Sequence, residues 1–175
     1  MKKLIITALM FAGITISAQE TKFGVTAGYN MSMGKLTETG LKSDRTVTTS
    51  DSGFFVGLFA DFKINDKFGV QPELHYTAVY SEGNESNMLT MPILAKYYIT
   101  DKFSVMAGPM LDLVLDEVSD NANTFGIGAA IGVAYDFTEN IYATARYSFG
   151  LSNRIDQANT TVKGDFFQIG IGYRF

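Results

Sequence analysis

The sequence predicts an all-β chain closed into an eight-stranded antiparallel transmembrane β-barrel, an up-and-down meander, and three observations lead there. Beyond residue 20 hydrophobicity alternates with period two almost without interruption, which is the pattern of strands with two unlike faces. The alternation breaks into eight segments separated by stretches that are alternately short and long. When the large apolar residues of each segment are put in one phase, the run of that phase from the first of them to the last holds no charged residue.

The elements follow in order. Lys2 and Lys3 precede an apolar stretch from Leu4 to Ile16 and then Ser17-Ala18-Gln19, the charged, apolar, small-residue order of an export signal. Residues 1–18 are therefore expected to be a signal peptide and 19–175 the barrel domain. The first strand carries Phe23, Val25, Ala27, Tyr29 and Met31 on one face. Seven more strands are expected at 53–64, 68–79, 88–100, 103–115, 124–137, 141–151 and 165–175. The short connections, Asn65-Asp66-Lys67, Asp101-Lys102 and Thr138-Glu139-Asn140, hold residues that form tight turns. The other connections, 33–52, 80–87, 116–123 and 152–164, are expected to be loops, and the first and last of these are long, polar and rich in Thr, Ser, Asn and Asp.

Composition decides which way the barrel faces. The apolar phase is crowded with Phe, Leu, Ile and Tyr, while the other phase holds Asp61, Lys63, Glu73, His75, Lys96, Asp112, Asp136, Arg146, Arg174 and most of the 17 glycines. Eight strands enclose a bore only wide enough for modest side chains, so the bulky set belongs outside, against lipid. A soluble lipocalin-type barrel would need the reverse. A closed barrel is also the one sheet without an unpaired edge, as hydrocarbon requires. With 175 residues, a net charge of −4 and no cysteine, one domain without disulfides is expected. No apolar run approaches the roughly 18 residues of a spanning helix. The acidic balance argues against nucleic acid as a partner.

Some motifs resemble a known family. Met91-Pro92-Ile93-Leu94-Ala95-Lys96-Tyr97-Tyr98 followed by Ala107-Gly108-Pro109, and Ala145-Arg146-Tyr147-Ser148-Phe149-Gly150-Leu151, are similar to segments of the PorT-like family of outer-membrane β-barrel proteins, barrels of the OmpA/OmpX-like eight-stranded kind. The resemblance implies a bacterial outer-membrane location and says little about activity. The terminal Gly172-Tyr173-Arg174-Phe175 is similar to the signal read by barrel-assembly machinery, which implies an assembly role for Phe175. Pro92 lacks an N–H and is expected to mark a bulge or a locally opened strand pair.

Candidate chemistry is sparse. Glu73, His75, Lys96 and Arg146 fall near mid-strand on the inner face, where each buried charge needs a partner. They are expected to form a structural charge network in the lumen. His75 is the only histidine and is badly placed to meet a substrate, and Ser148 has no second histidine with which to build a triad. Asp116, Glu117 and Asp120 form an acidic loop better read as a solvated strand end than as a Ca²⁺ site. No catalytic residue, metal site or cofactor is expected. The expected function is non-enzymatic, exerted through the outer loops in adhesion, envelope integrity or secretion. Expected partners are outer-membrane lipid, the assembly machinery during insertion, and a protein partner at outer loops 33–52 and 152–164. A narrow solute or proton channel and a lipid-modifying barrel enzyme are the alternatives.

Overall fold

The computed structural model describes residues 20–38, 45–81, 84–116, 122–155 and 160–175, so the expected signal peptide lies outside the described residues. Eight strands follow one another: β1 (Glu20–Glu38), β2 (Arg45–Lys63), β3 (Phe68–Ser81), β4 (Asn84–Tyr98), β5 (Phe103–Val114), β6 (Phe125–Asp136), β7 (Ile141–Gly150) and β8 (Thr160–Arg174). Each pairs antiparallel with the next, and β1 pairs with β8 to close the barrel. Alternation places Phe23, Leu58, Phe68, Ile131 and Ile171 outward and exposed, whereas Phe55, Leu94, Met106 and Tyr142 fill the bore.

The three tight connections share one device. Asn65 Oδ1 accepts the Phe68 N–H at 2.9 Å, Thr100 Oγ1 that of Phe103 at 3.0 Å, and Thr138 Oγ1 that of Ile141 at 2.9 Å. In each case a short polar side chain substitutes for the backbone acceptor that the turn lacks. The three prolines open the wall. The β2–β3 ladder skips from Phe59↔Glu73 to Phe62↔Val70, the β3–β4 ladder from Pro72↔Ile93 to His75↔Thr90, and the β4–β5 ladder from Pro92↔Met110 to Ala95↔Ala107. Pro72, Pro92 and Pro109 stand in the three gaps in turn, because a proline has no N–H to close the pair.

The outer end differs from its expectation. Residues 33–52 are mostly not a loop: β1 continues to Glu38 and β2 starts at Arg45, in register from Glu38↔Arg45 downward. Likewise β8 begins at Thr160 and β4 at Asn84, so 152–164 and 80–87 are only in part connections. Beyond the membrane both faces of a strand meet water, so the apolar-polar contrast disappears although β-forming Thr and Val persist. These extensions make a three-stranded tongue, β8-β1-β2, rising above the barrel rim.

Packing inside the bore generates a stability prediction. A Cβ on Gly172 would lie within 2.3 Å of two Tyr142 ring atoms, and that ring is fixed by an edge contact with Phe59 at 5.5 Å and by Arg174 at 4.4 Å. Gly172→Ala is expected to destabilise the barrel by about 1–3 kcal/mol. Gly164→Ala, whose Cβ would meet only the Phe166 ring at 3.8 Å, is expected to be near neutral. Urea unfolding of both variants in lipid vesicles checks the contrast.

Candidate functional site

The inward phase of β2, β3, β4, β6, β7 and β8 brings the lumen charges together. Arg146 Nη2 donates to Glu73 Oε1 at 2.8 Å and to Oε2 at 2.9 Å, and His75 Nε2 lies 2.6 Å from Glu73 Oε2. His75 stacks on Phe55 with ring centres 4.8 Å apart. Lys96 does not meet Glu73 directly. Its Nζ donates to Asp61 Oδ2 at 2.7 Å and to Gln71 Oε1 at 3.0 Å, while Gln71 Nε2 donates to Glu73 Oε1 at 2.9 Å. One amide thus joins two ionic nodes.

The lower node continues toward the short turns. Arg174 Nη2 lies 2.8 Å from Asp136 Oδ1, and its Nε lies 3.5 Å from Asp61 Oδ2. Below it a cavity of about 510 Å³, lined by Lys63, Tyr98 and Asp136 among others, opens at the end of the barrel that carries the short turns. Above the central node the bore is filled by Phe55, Met110 and Phe166, all buried. With Glu73, His75, Lys96 and Arg146 at most 6% exposed, the ionic groups are sealed from bulk water. Such pairs hold because each charge has its counter-charge close by, where an unpaired one would cost several kcal/mol.

Sequence reasoning placed Asp61, Asp136 and Arg174 on the inner face but did not assign them to the network, and it missed Gln71. Their inward parity was the available signal. Which inward charge meets which depends on barrel shear, a property absent from single-strand periodicity.

The outer mouth has its own ion pairs. Arg154 pairs with Asp112, entering over Gly126, where a Cβ would sit 2.5 Å from the guanidinium. The Arg154 backbone N–H donates to Val162 O at 2.8 Å, and its carbonyl accepts the Asn123 N–H at 2.8 Å. Segment 152–155 therefore covers the outer edge of β8. Asp116 Oδ2 accepts the Asn87 N–H at 2.6 Å, and that bond holds its carboxyl below the usual carboxylate range. Glu117 and Asp120 lie outside the described residues. On the outer face of the wall, the Asp165 carboxylate accepts bonds from Lys35, Tyr147 and the Gly150 N–H.

A family model for the outer membrane protein beta-barrel domain matches residues 4–175, and the chain belongs to that family. It is 28% identical over 152 residues to opacity protein opA58 of Neisseria gonorrhoeae, covering 78% of this chain and 55% of that protein. The chain thus spans about half the length of the curated relative it matches. Among solved structures it is similar to Ail, the attachment invasion locus protein of Yersinia pestis, at 18% identity and a TM-score of 0.54, over 89% of this chain and 99% of that one. It is also similar to Neisserial surface protein A at 21% identity and a TM-score of 0.54, again over 89% and 99%. At such identities the two structures speak to fold alone. The protein is an integral β-barrel of the bacterial outer membrane.

The network geometry sets a measurable coupling. Glu73→Gln leaves Arg146 buried without its counter-charge and is expected to cost about 3–5 kcal/mol, as is Arg146→Met. The double variant should lose at least about 1 kcal/mol less than the two together, whereas Glu73→Gln with Lys96→Met should couple more weakly because Gln71 intervenes. A cycle of urea titrations measures both, and strict additivity for Glu73 and Arg146 would contradict direct pairing. In planar bilayers the filled bore is expected to give no nanosiemens steps.

Proposed function

We propose that this outer-membrane barrel is non-enzymatic and works by surface contact, in adhesion, envelope integrity or secretion, with the β8-β1-β2 tongue as its contact element. The observation that carries the reading is length. A strand crosses the bilayer in about 9–11 tilted residues, yet β1 and β2 have 19 each. The surplus of roughly eight residues adds nothing to the spanning wall and holds a sheet above the rim.

The two sides of the tongue are unequal. The β8 side is covered by segment 152–155 through Arg154 and Asn153, whose Oδ1 accepts the Val162 N–H at 2.7 Å. On the other side β3 leaves β2 at Ser52↔Tyr80, and among the described residues no strand pairs with 46–51 there. Thr46, Val47, Thr48, Thr49 and Ser50 are all exposed. A bare edge without proline or lysine offers its N–H and C=O groups to an extended segment of a partner protein. The protein-partner site expected at loops 33–52 and 152–164 accordingly becomes a sheet edge at 46–51 and a covering segment at 152–155. The names of the attachment invasion locus protein and the opacity protein support a contact role by analogy only. The buried His75 and the ion-paired lumen support a non-enzymatic reading. Placement among PorT-like barrels is a finer assignment that rests on residues 91–98, 107–109 and 145–151.

Two experiments test these roles. Replacing 36–47 by a two-residue turn, which still joins Lys35 to Thr48, should leave a closed, heat-modifiable barrel and abolish cell attachment. Full attachment by that variant would refute the tongue as contact element. Phe175, exposed and closing the seam through its N–H to Phe23 O at 2.8 Å, is assigned to assembly. Its deletion should lower surface levels well beyond the loss expected from one hydrogen bond, and a wild-type level would remove that role.

A further inference from the structure

On the outer face of the wall, Lys35 of β1 and Lys163 of β8 stand directly opposite one another. Like charges so placed repel and destabilise a sheet. Lys35 Nζ is held 2.5 Å from Asp165 Oδ2. The same carboxylate also accepts the Tyr147 hydroxyl at 2.8 Å and the Gly150 N–H at 3.0 Å. Asp165 is thereby fully engaged, and among the described residues Lys163 has no acidic partner. The three charged groups carry a net +1, although the rim elsewhere presents Asp51, Glu85 and Asp116. The lysine pair lies just above Met31↔Phe167, the uppermost apolar pair that faces lipid on these strands.

Lower on the same wall, outward Ala27 stands between Val56 of β2 and Ile171 of β8. Its small side chain leaves an apolar groove of about 580 Å³ walled by Val25, Val56, Leu58, Ile171 and Tyr173. Ala27 is the centre of the lipid-facing run Phe23–Met31, so the groove lies near the membrane mid-plane. Lys35 stands eight positions beyond Ala27 along the strand. That is about 26 Å of strand at 3.3 Å per residue, or about 20 Å of height at a tilt of about 40°. Half of a bilayer, headgroups included, is about 20–22 Å.

We infer that this wall binds one phosphate-bearing lipid of the outer leaflet, its headgroup phosphate between Lys35 and Lys163 and an acyl chain in the groove floored by Ala27. The phosphate neutralises the net +1 that remains once Asp165 has paired with Lys35. The groove lies one lipid length below the lysines, which selects a lipid over a free anion. The contact edge at 46–51 takes no part, so the inference does not depend on the proposed adhesive role.

The test uses the full barrel reconstituted in dimyristoyl phosphatidylcholine vesicles containing a minor fraction of dimyristoyl phosphatidic acid, then extracted for native mass spectrometry. The wild type should retain one phosphatidic acid. Lys163→Ala should weaken retention about fivefold, the effect of one basic group at an anionic surface, and Lys163→Arg should preserve it. Ala27→Phe, which fills the groove and leaves both lysines, should weaken it as well. Heat-modifiable migration confirms that each variant is closed. No retained phosphatidic acid in the wild type, or unchanged retention in Lys163→Ala, overturns the inference. So does a loss confined to Lys163→Ala with Ala27→Phe unaffected, or displacement of the lipid by millimolar inorganic phosphate, because either outcome leaves only a headgroup site.

Discussion

Within hydrocarbon there is no water to satisfy a backbone N–H or C=O, so every such group must find its partner inside the sheet. Closure of β1 against β8 meets that demand, with an unbroken register from Gly24↔Arg174 up to Glu38↔Thr160. The rest of the molecule follows from it. Eight closed strands leave a narrow bore, and a narrow bore admits glycine, a few packed apolar side chains and charges that neutralise each other. Bulky residues are left with the lipid side, where Phe, Leu and Ile are favoured. Three proline gaps interrupt the ladders, each in a different strand pair and each with paired residues above and below the opening.

The filled bore fixes what surrounds the polar residues inside. Glu73 is engaged by Arg146, His75 and Gln71, and Asp61 by Lys96 and Arg174. Both carboxylates face counter-charges in a bore filled above them by Phe55, Met110 and Phe166. What they supply is a fixed relation between strands distant in sequence, since Arg146 of β7 reaches Glu73 of β3 and Lys96 of β4 reaches Asp61 of β2. Pairs of this kind are weak evidence for added stability, and retained specificity of register is the better account of them.

The two ends of the barrel divide the labour. At one end three turns are closed by single side-chain oxygens and cannot be shortened much further. At the other, β1, β2 and β8 outgrow the membrane, one flank of the resulting sheet is covered by segment 152–155, and the flank at 46–51 is bare. Closure resides in the wall and the lumen and the sheet above the rim takes no part in it, so the outer sheet can vary without disturbing closure. The outward lysines at the base of the tongue belong to a third environment, the headgroup layer, where apolar wall and water meet.

Much of this was legible in sequence. Period two, the absence of charge from one phase and the alternation of short and long connections determined eight strands and their facing. Those properties are local, because each strand shows its own two faces to lipid and lumen. The inward position of Glu73, His75, Lys96 and Arg146 was legible for the same reason. Their partners were not. That Lys96 meets Asp61 and Gln71 while Arg146 meets Glu73 depends on the stagger between strands, which only closure sets. The tongue was also hidden, since residues 33–38 and 45–52 have left the hydrocarbon and no longer need unlike faces, so their alternation fades although their hydrogen bonds continue. The sequence determined which side of each strand meets which medium, because that preference belongs to single residues. The tertiary structure alone decided which side chains meet one another and where the sheet ends, because those depend on register and on a ladder that extends beyond the solvent contrast that reveals it.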